Sequence, residues 1–270
     1  MQSQLKQRQD IMQYIGIIPA RYSSTRFPGK PLADICGKPM IQRVYEQVSK
    51  ALDVVIVATD DARIFECVEG FGGKVVMTSP NHKCGTERVE EAYEIYKAQQ
   101  SCALRDDEVV VINIQGDEPF IQPSQIAAIQ SCFPMEIATL VKPYTSSDLW
   151  EELQNPNTPK VVFSAQTGEA IYFSRSVIPY LRGVEETEWL HSDTTYYRHI
   201  GMYAYRADIL KRITRLPQSP LEIAESLEQL RWIENGIHVR VAVCDTYSIG
   251  IDTPADLAAA IRYLENNNNQ

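Results

Sequence analysis

The sequence lacks the features of a membrane or secreted protein. It has no apolar run of about 18 residues and no signal-peptide core, so no membrane insertion is expected. Its six cysteines are scattered, without a CxxC pair or histidines at zinc-ligand spacing. We therefore expect reduced thiols, mostly in the core, in a reducing compartment. These absences together predict a soluble cytoplasmic protein.

An excess of positive charge is also missing. Acidic residues number 35 against 26 lysines and arginines, which gives a net charge of −9. Nucleic acid is not an expected partner, because its binding requires a basic face. The chain is 44% hydrophobic and 23% charged, which is ordinary for a globular protein. Against this acidic background, Arg21, Arg26 and Lys30 lie within ten residues and predict a specific anion site.

Apolar, β-rich runs alternate with helical patterns along the chain. The predicted strands are Tyr14–Pro19, Asp53–Ala58, Lys74–Met77, Val109–Ile114, Ile137–Val141 and Ile237–Val243. The predicted helices are Pro39–Ala51, Thr86–Gln99 and Pro254–Leu264. Several strands are continuous in Val and Ile, as parallel strands covered on both faces are. The pattern predicts an α/β fold with an open, mostly parallel sheet and helices on both faces.

One stretch departs from this alternation. Between about 146 and 220, shorter pieces at Lys160–Phe163, Ala170–Phe173 and Ile200–Tyr205 have an antiparallel character and longer loops. We predict a single domain over 14–265, with an inserted lobe at about 143–219 between parts at about 14–142 and 220–265. The polar ends 1–13 and 266–270 are expected to be flexible.

A basic loop follows the first predicted strand, which ends at Pro19. Neither a Walker A string nor a GxGxxG string occurs in the chain. Even so, backbone N–H groups past a strand end, the hydroxyls of Ser23, Ser24 and Thr25, and three cations suit a polyphosphate. The alternative is a solvated basic loop. The prolines that restrain the loop favour the phosphate site.

Two aspartates occupy the positions that a metal bridging phosphates requires. Asp117 follows the predicted strand 109–114, and Asp252 lies at a strand–helix junction. Mg²⁺ takes one or two protein carboxylates and leaves its other positions to phosphate and water. Alternatively, each aspartate only caps or turns the chain, and Asp252 could begin a helix. The string Gly85-Thr86-Glu87-Arg88 begins a predicted helix, whose N–H groups could bind an anion or a base carbonyl, or form a capping turn.

Ten strings in this order, spread over residues 14 to 264, resemble the 3-deoxy-manno-octulosonate cytidylyltransferase (CMP-Kdo synthetase) family. They are IIPARYSSTRFPGKPL, ATDD, FGGKVVMTSP, GTERVEE, NIQGDEPFI, NPN with KVVF, YFSRSVIP, RHIGMYAYR, SPLEIAESLEQLRWIENG and GIDTPADL. A single string would be weak evidence, whereas ten in register are highly specific.

The resemblance implies a Rossmann-like fold of the nucleotide-diphospho-sugar transferase type. The parts at about 14–142 and 220–265 would bind the nucleotide, and the lobe would bind the sugar and form a homodimer contact. The implied reaction transfers CMP from CTP to the anomeric 2-hydroxyl of 3-deoxy-manno-octulosonate (Kdo). It releases pyrophosphate, uses Mg²⁺ as cofactor, and gives CMP-Kdo for lipopolysaccharide synthesis.

The resemblance also implies roles for individual residues. Catalysis would rest on Asp117 and Asp252 as Mg²⁺ ligands, with Arg21 and Lys30. The CTP triphosphate would be held by Arg21, Arg26 and Lys30, and the cytosine and ribose end would be lined by Gly85, Arg88 and Gln115. Arg175 would pair with the Kdo carboxylate, and the Kdo hydroxyls would contact His199, Tyr203, Glu228 and Gln229. Without the resemblance, His199 reads as a packed strand histidine and Glu228 as a solvated residue or a partner of Arg231.

Three other functions stay open. The sugar could be 8-amino-Kdo or a sialic acid, but the 8-amino enzymes have Gln after QGD and GTDR, where this chain has Glu118 and Glu87. A catalytically silent nucleotide-sugar binding protein would be expected to have lost a metal carboxylate or a triphosphate cation, and all are present. A glycosyltransferase would be expected to have an Asp-x-Asp motif at a strand end, which Asp117-Glu118-Pro119 is not.

Overall fold

The computed structural model describes residues 12–23, 26–246 and 250–268. The described residues group into two compact units: a first unit within 12–127 and 250–268, and a second unit over 128–246. The predicted single domain and its part boundaries stay a prediction. Of the ends expected to be flexible, Gln13 already belongs to a strand and a helix continues to Asn268. Residues 1–11 and 269–270 lie outside the described residues.

Strands and helices alternate along most of the chain. The N-terminal half contains β1 (Gln13–Ala20), β2 (Asp34–Ile35), β3 (Lys38–Pro39), α1 (Met40–Val48), β4 (Val54–Thr59), α2 (Ala62–Gly70), β5 (Val75–Met77), α3 (Gly85–Ala98), β6 (Val109–Asn113) and α4 (Pro123–Gln130). The remainder contains β7 (Ile137–Pro143), α5 (Trp150–Gln154), β8 (Lys160–Phe163), β9 (Ala170–Ser174), β10 (Tyr197–Arg206), α6 (Ala207–Ile213), α7 (Pro220–Glu225), α8 (Gln229–Glu234), β11 (Val239–Val243) and α9 (Pro254–Asn268). Every predicted strand and helix has a counterpart here.

The first unit is built on a parallel sheet in the order β6, β1, β4, β5. The isoleucines of β1 at positions 15, 17 and 18 are at most 2% exposed, as expected of a strand covered on both faces. Gly16 allows this close packing, because a Cβ there would lie 2.8 Å from Cδ1 of Leu52. The continuous apolar runs are thus confirmed as parallel strands.

The second unit mixes parallel and antiparallel pairs. Strand β11 runs parallel to β7, β7 and β10 are antiparallel, and β8 is antiparallel to both β10 and β9. The three antiparallel pieces predicted between 146 and 220 are therefore confirmed. Strand β10 lies within the predicted lobe segment, yet it pairs with β7 over most of its length. With the parallel strands of the first unit, these pairings confirm the α/β class and its mostly parallel sheet.

The cysteines are only partly where the sequence placed them. None of the six forms a disulfide, but Cys36 and Cys102 are exposed and only Cys244 is buried. The expectation of mostly core thiols is thus wrong, because Cys36 lies in the tight turn between β2 and β3 and Cys102 in the loop before β6. Loops run over protein surfaces. None of the described helices is long and apolar enough to cross a membrane.

A buried ion pair joins α7 and α8 in the second unit. Ser219 and Glu222 form a capping box at the start of α7, and the Glu222 carboxylate also accepts from Nε and Nη2 of Arg231 at 2.8 and 2.5 Å. Glu222 is 5% exposed and Arg231 7%. Burial by itself raises the pKa of Glu222, but the donors from Arg231 and Ser219 outweigh it and hold this pKa below 4.5.

Glu222→Gln should lower the free energy of unfolding by about 3–5 kcal/mol at neutral pH, because it leaves a buried guanidinium without its counter-charge. Asp107→Asn, at the exposed Arg105–Asp107 pair, should change it little. Denaturant titration measures both. The Glu222 contribution is present above the unfolded pKa and is lost as pH falls through the lower folded pKa. The gap between wild type and Glu222→Gln should therefore narrow in acid, and equal losses in the two variants would contradict the assignment.

Candidate active site

A cavity of about 430 Å³ opens in the first unit at the carboxyl ends of β1 and β6. Ligands of open α/β sheets bind at this edge. Its polar lining comprises Arg21, Ser23, Arg26, Lys30, Gln115 and Asp117. The structure therefore brings the predicted triphosphate cations together with one predicted metal ligand and one predicted ribose-end residue.

Lys30 is the link between the two predicted metal ligands. Its Nζ donates to Oδ2 of Asp117 at 2.6 Å and to Oδ1 of Asp252 at 3.2 Å. Nη2 of Arg26 lies 3.2 Å from the same Asp252 oxygen. The Lys30 side chain is 14% exposed, whereas that of Arg26 is 65% exposed. The site thus holds two carboxylates around one largely desolvated ammonium.

A backbone hydrogen bond explains why Asp252 reaches this position. The N–H of Ile251 donates to the carbonyl of Asp117 at 2.9 Å. Ile251 is fully buried in an apolar cluster with Ile35, Met40 and Ala260. The bond fixes the chain beside Asp117, and the buried isoleucine holds it there, so the next residue presents its carboxylate to Lys30.

The start of α9 is capped without the side chain of Asp252. Oγ1 of Thr253 accepts from the Asp256 N–H at 3.2 Å, and the Asp256 carboxylate accepts from the N–H groups of Thr253 and Asp252 at 2.8 and 3.1 Å. These bonds satisfy the donors that open a helix. The capping interpretation of Asp252 is therefore replaced by one in which its carboxylate faces Lys30 and Arg26.

The loop between β1 and Lys30 is closed on an aromatic ring. The N–H of Gly29 donates to the carbonyl of Tyr22 at 2.9 Å, and a Cβ on Gly29 would lie 3.1 Å from the Tyr22 ring. The guanidinium of Arg63 stacks on the Tyr22 ring, 3.3 Å from its centroid. The same guanidinium forms an ion pair with Asp61. Sequence reasoning missed Tyr22 and Arg63. The predicted hydroxyl donors at positions 24 and 25 lie outside the described residues.

Glycines bring other parts of the predicted nucleotide end close to β1. A Cβ on Gly116 would lie 3.0 Å from the carbonyl oxygen of Pro19, so only glycine lets the turn after β6 approach so closely. Gly85 begins α3, and a Cβ there would lie 3.8 Å from Cγ of Pro19. The predicted helix-start motif at Gly85 and the predicted strand-end motif at Gly116 thus both lie next to the end of β1.

Arg88 serves the fold in a way that the sequence did not reveal. Its side chain is 1% exposed, and its guanidinium donates to Oγ1 of Thr78 at 2.5 Å and to Oδ2 of Asp60 at 2.8 Å. These bonds tie α3 to the segments that follow β4 and β5. A contact between Arg88 and the nucleotide stays a prediction.

The donor set fits Mg²⁺ although its carboxylates number only two. Within residues 12–23, 26–246 and 250–268, no group of three or more His, Cys, Asp or Glu could hold a metal by itself. Magnesium commonly takes one or two carboxylates and completes its shell with phosphate and water. Asp117 and Asp252 share one cation, the Lys30 ammonium, so they are already arranged around positive charge.

In the second unit, Arg175 is anchored by backbone carbonyls. Its Nε donates to Glu225 at 2.6 Å, Nη1 to Pro156 at 2.8 Å, and Nη2 to Ser226 at 3.2 Å. A guanidinium has five N–H donors, so two stay available for a ligand carboxylate. The anchoring fixes the direction of the side chain. The role of Arg175 toward the sugar stays a prediction.

Lys160, which sequence reasoning also missed, is a buried side chain that bonds to the backbone of Arg175. It is fully buried, and its Nζ donates to the carbonyls of Asn155, Thr158 and Arg175 at 3.0, 2.9 and 2.7 Å. Burial lowers the pKa of Lys160 to about 8, which leaves it mostly charged at neutral pH. A lysine at the start of a Val-Val strand was the only available signal.

The remaining predicted sugar residues lie around an aromatic cluster. The Tyr203 ring packs against His199 and Trp232, with centroids 5.3 and 5.0 Å apart. Among the described residues, no hydrogen-bond partner lies within reach of the buried Tyr203 OH, Gln229 Nε2 and Trp232 Nε1. Such atoms call for a water or a polar ligand. Glu228 immediately precedes α8 and lies 4.0 Å from Arg231, as its alternative interpretation expected.

The chain matches the family model described as cytidylyltransferase over residues 15–240. The solved 4-diphosphocytidyl-2C-methyl-D-erythritol synthase of Anaerococcus prevotii shares the fold at a TM-score of 0.56 and 14% identity, covering 95% of this chain and all of that one. The fold and the cation-lined cavity thus define the class as a nucleotidyltransferase of the cytidylyltransferase type.

The more similar relatives narrow this class. The 3-deoxy-manno-octulosonate cytidylyltransferase of Parabacteroides distasonis is 58% identical, covering 95% of this chain and 100% of that protein. That of Cytophaga hutchinsonii is 53% identical over 90% and 94% of the two chains. A solved CMP:2-keto-3-deoxy-manno-octonic acid synthetase complexed with CTP has a TM-score of 0.80 and 39% identity over 94% and 99%. The chain belongs to the 3-deoxy-manno-octulosonate cytidylyltransferase family.

Lys160→Met should lower the free energy of unfolding by about 2 kcal/mol or more, because the carbonyls of Thr158 and Arg175 lose the Lys160 donor at about 1–3 kcal/mol each. The Asn155 carbonyl keeps the N–H of Thr158 as a donor. Lys50→Met, at an exposed lysine bonded to Gln47, is the matched control and should have little effect. Denaturant titration of both variants measures the difference. Similar stabilities would show that Lys160 does not hold the carbonyls together.

Proposed function

We propose that this protein transfers CMP from CTP to the anomeric 2-hydroxyl of Kdo and releases pyrophosphate. The product, CMP-Kdo, is an activated sugar for lipopolysaccharide synthesis. The observation that carries the proposal is the Lys30 bridge, in which one ammonium holds Asp117 and Asp252 at the edge of a cavity that also gathers Arg21 and Arg26. Relatives that match this chain over almost their whole length are named 3-deoxy-manno-octulosonate cytidylyltransferase, and this favours Kdo over 8-amino-Kdo or sialic acid as the sugar.

Three cations would hold the triphosphate. Arg21 and Arg26 are exposed, so their planar guanidinium groups can each bind two phosphate oxygens. Lys30 is already positioned, but it is engaged by two carboxylates. On CTP binding it would exchange a carboxylate for phosphate oxygens. The charge of the departing pyrophosphate would then be balanced by residues fixed in advance.

Asp117 and Asp252 would hold Mg²⁺ together with the phosphate oxygens of CTP. The ion, when bound, would lower the pKa of the attacking hydroxyl and neutralise charge at the α-phosphate. The protein's own contribution is to keep both carboxylates side by side. The Ile251–Asp117 backbone bond and the Thr253–Asp256 cap do this before any ligand arrives.

The chemical step needs no protein nucleophile. The 2-hydroxyl oxygen of Kdo forms a bond to the α-phosphorus, the bond from that phosphorus to pyrophosphate breaks, and the hydroxyl proton is released. The chain would bind and orient the reactants. Arg175 would pair with the Kdo carboxylate through its two remaining N–H donors. His199, Tyr203, Glu228 and Gln229 would contact its hydroxyls.

Pyrophosphate release should require CTP, Kdo and Mg²⁺ together. Asp117→Asn and Asp252→Asn should each lower kcat by on the order of a hundredfold or more, because the metal loses a ligand. Other nucleoside triphosphates, 8-amino-Kdo and sialic acid complete the panel, and Asp107→Asn is the control for loss of one negative charge. Faster turnover of another acid sugar would make that sugar, and not Kdo, the assigned substrate. Near-normal turnover in both aspartate variants would refute the metal assignment.

Gly29→Ala should raise KM for CTP about tenfold, because the new methyl group meets the Tyr22 ring and opens the triphosphate loop. Its backbone φ is +72°, which costs an L-residue about 1–2 kcal/mol. Gly37→Ala is the matched control, since Gly37 has a φ of +80° and nothing within 4 Å of a Cβ. Gly37→Ala should lose a similar free energy of unfolding, but its KM for CTP should stay unchanged. Equal KM values in the two variants would show that the loop closure does not serve CTP.

A homodimer, with a contact in the 143–219 segment, and a cytoplasmic location complete the proposal. The homodimer follows from the resemblance, and the cytoplasmic location follows from the cysteine usage. Size-exclusion chromatography with light scattering measures the oligomeric state.

A further inference from the structure

Strand β10 contains a bulge, and the side chain of Thr139 lies against it. In the antiparallel pairing with β7, Ile200 lies opposite Leu140, but the next pair joins Tyr203 to Thr139. Gly201 and Met202 are therefore inserted in β10 between the two pairs. Bulges of this kind redirect a neighbouring side chain or carbonyl. Here they turn two carbonyls of β10 toward one fully buried threonine.

The hydroxyl of Thr139 has three polar neighbours within hydrogen-bond distance, and the Tyr203 phenol lies beside it as a fourth polar group. Oγ1 lies 2.9 Å from the carbonyl oxygen of Met202, 3.4 Å from that of Ile200, and 2.9 Å from Nε2 of His199. A hydroxyl has one hydrogen to donate and can otherwise only accept. Both carbonyls can only accept, and that of Met202 is the nearer of the two, so the hydrogen of Thr139 is assigned to Met202. With this assignment Thr139 can only accept from His199, and Nε2 carries a hydrogen.

His199 is neutral in this position. Its ring packs against Phe173 and Tyr203, each with a centroid 5.3 Å away, and burial lowers its pKa to about 3. An edge of the residue nevertheless stays accessible. A neutral imidazole has a single N–H, so hydrogen on Nε2 leaves Nδ1 as a bare acceptor. Within the described part of the chain, Nδ1 has no hydrogen-bond partner.

We propose that Thr139 is a positioning residue that fixes His199 in the Nε2–H tautomer, so that His199 offers Nδ1 as an acceptor to a hydroxyl of the sugar substrate. The assignment of the sugar rests on the proposed function, whereas the tautomer does not. A bare imidazole nitrogen accepts from a hydroxyl and repels a carboxylate oxygen. It therefore complements Arg175, which attracts the carboxylate, and the two side chains would select a sugar acid by opposite properties.

Nitrogen NMR of the full-length protein labelled with ¹⁵N-histidine tests the tautomer without any ligand. The chain has four histidines, and the signal missing in His199→Asn identifies His199. We expect a pyrrole-type shift for Nε2 and a pyridine-type shift for Nδ1, unchanged between about pH 5 and pH 8, where an ordinary histidine titrates. The reverse pattern, or titration near the usual pKa, would overturn the proposal.

Thr139→Val and Thr139→Ser separate positioning from packing. Valine removes the hydroxyl at nearly constant shape, whereas serine keeps it. In Thr139→Val we expect a mixture of tautomers and a KM for Kdo raised about tenfold, with KM for CTP unchanged. Thr139→Ser should restore the tautomer and the KM. Normal KM for Kdo in Thr139→Val, with its tautomer lost, would overturn the substrate role.

Two further outcomes distinguish this inference from the proposed function. If no pyrophosphate is released with Kdo but the wild-type shifts are as expected, the proposed substrate fails and the tautomer stands. If Thr139→Val does not fold, the wild-type spectrum and Thr139→Ser decide the tautomer, and a raised KM for Kdo in a hydroxyl-retaining Thr139→Ser would count against the role of the hydroxyl.

Discussion

The candidate active site depends on one ammonium group. Lys30 holds Asp117 and Asp252 within 2.6 and 3.2 Å, and without it two carboxylates at the edge of one cavity would repel each other. The arrangement exists because β1 and β6 are parallel neighbours that end at the same edge. It also requires the bond from Ile251 to Asp117, which brings in a residue from the far end of the chain. The positive charge that stabilises the two carboxylates is also suited to receive a phosphate.

The second unit uses two cations for a different purpose. Lys160, which is buried, and Arg175, which is half-buried, each donate to three backbone carbonyls at the ends of elements or in the loops between them. Each such hydrogen bond contributes to stability, so these side chains help to order the segments that carry the carbonyls. Arg175 is thereby held in one direction with donors to spare. Rigid support of this kind lets a binding side chain act without ordering costs when the ligand arrives.

Much of the fold could be predicted because its signals are local. Continuous Val and Ile runs such as 109–114 mark covered parallel strands, and the basic loop after Pro19 marks an anion site. The resemblance to known relatives supplied the sugar. Other features had no local signal. A lysine beginning a β-strand gives no hint that it donates to three backbone carbonyls. The expectation of mostly core thiols fails at Cys36, because the exposure of Cys36 depends on a tight turn. The buried pairing of Arg88 with Asp60 depends on packing between segments 28 residues apart.

The sequence by itself determined where the strands run, which loop gathers positive charge, and which family the chain resembles. These properties depend on neighbouring residues and on motif order. The tertiary structure alone decided that Lys30 meets carboxylates 87 and 222 positions away. It also decided that Thr139 faces His199, 60 residues away, across a bulge. Such contacts follow from strand order and from inserted residues, because these decide which distant backbones lie side by side, and no spacing within the sequence encodes that.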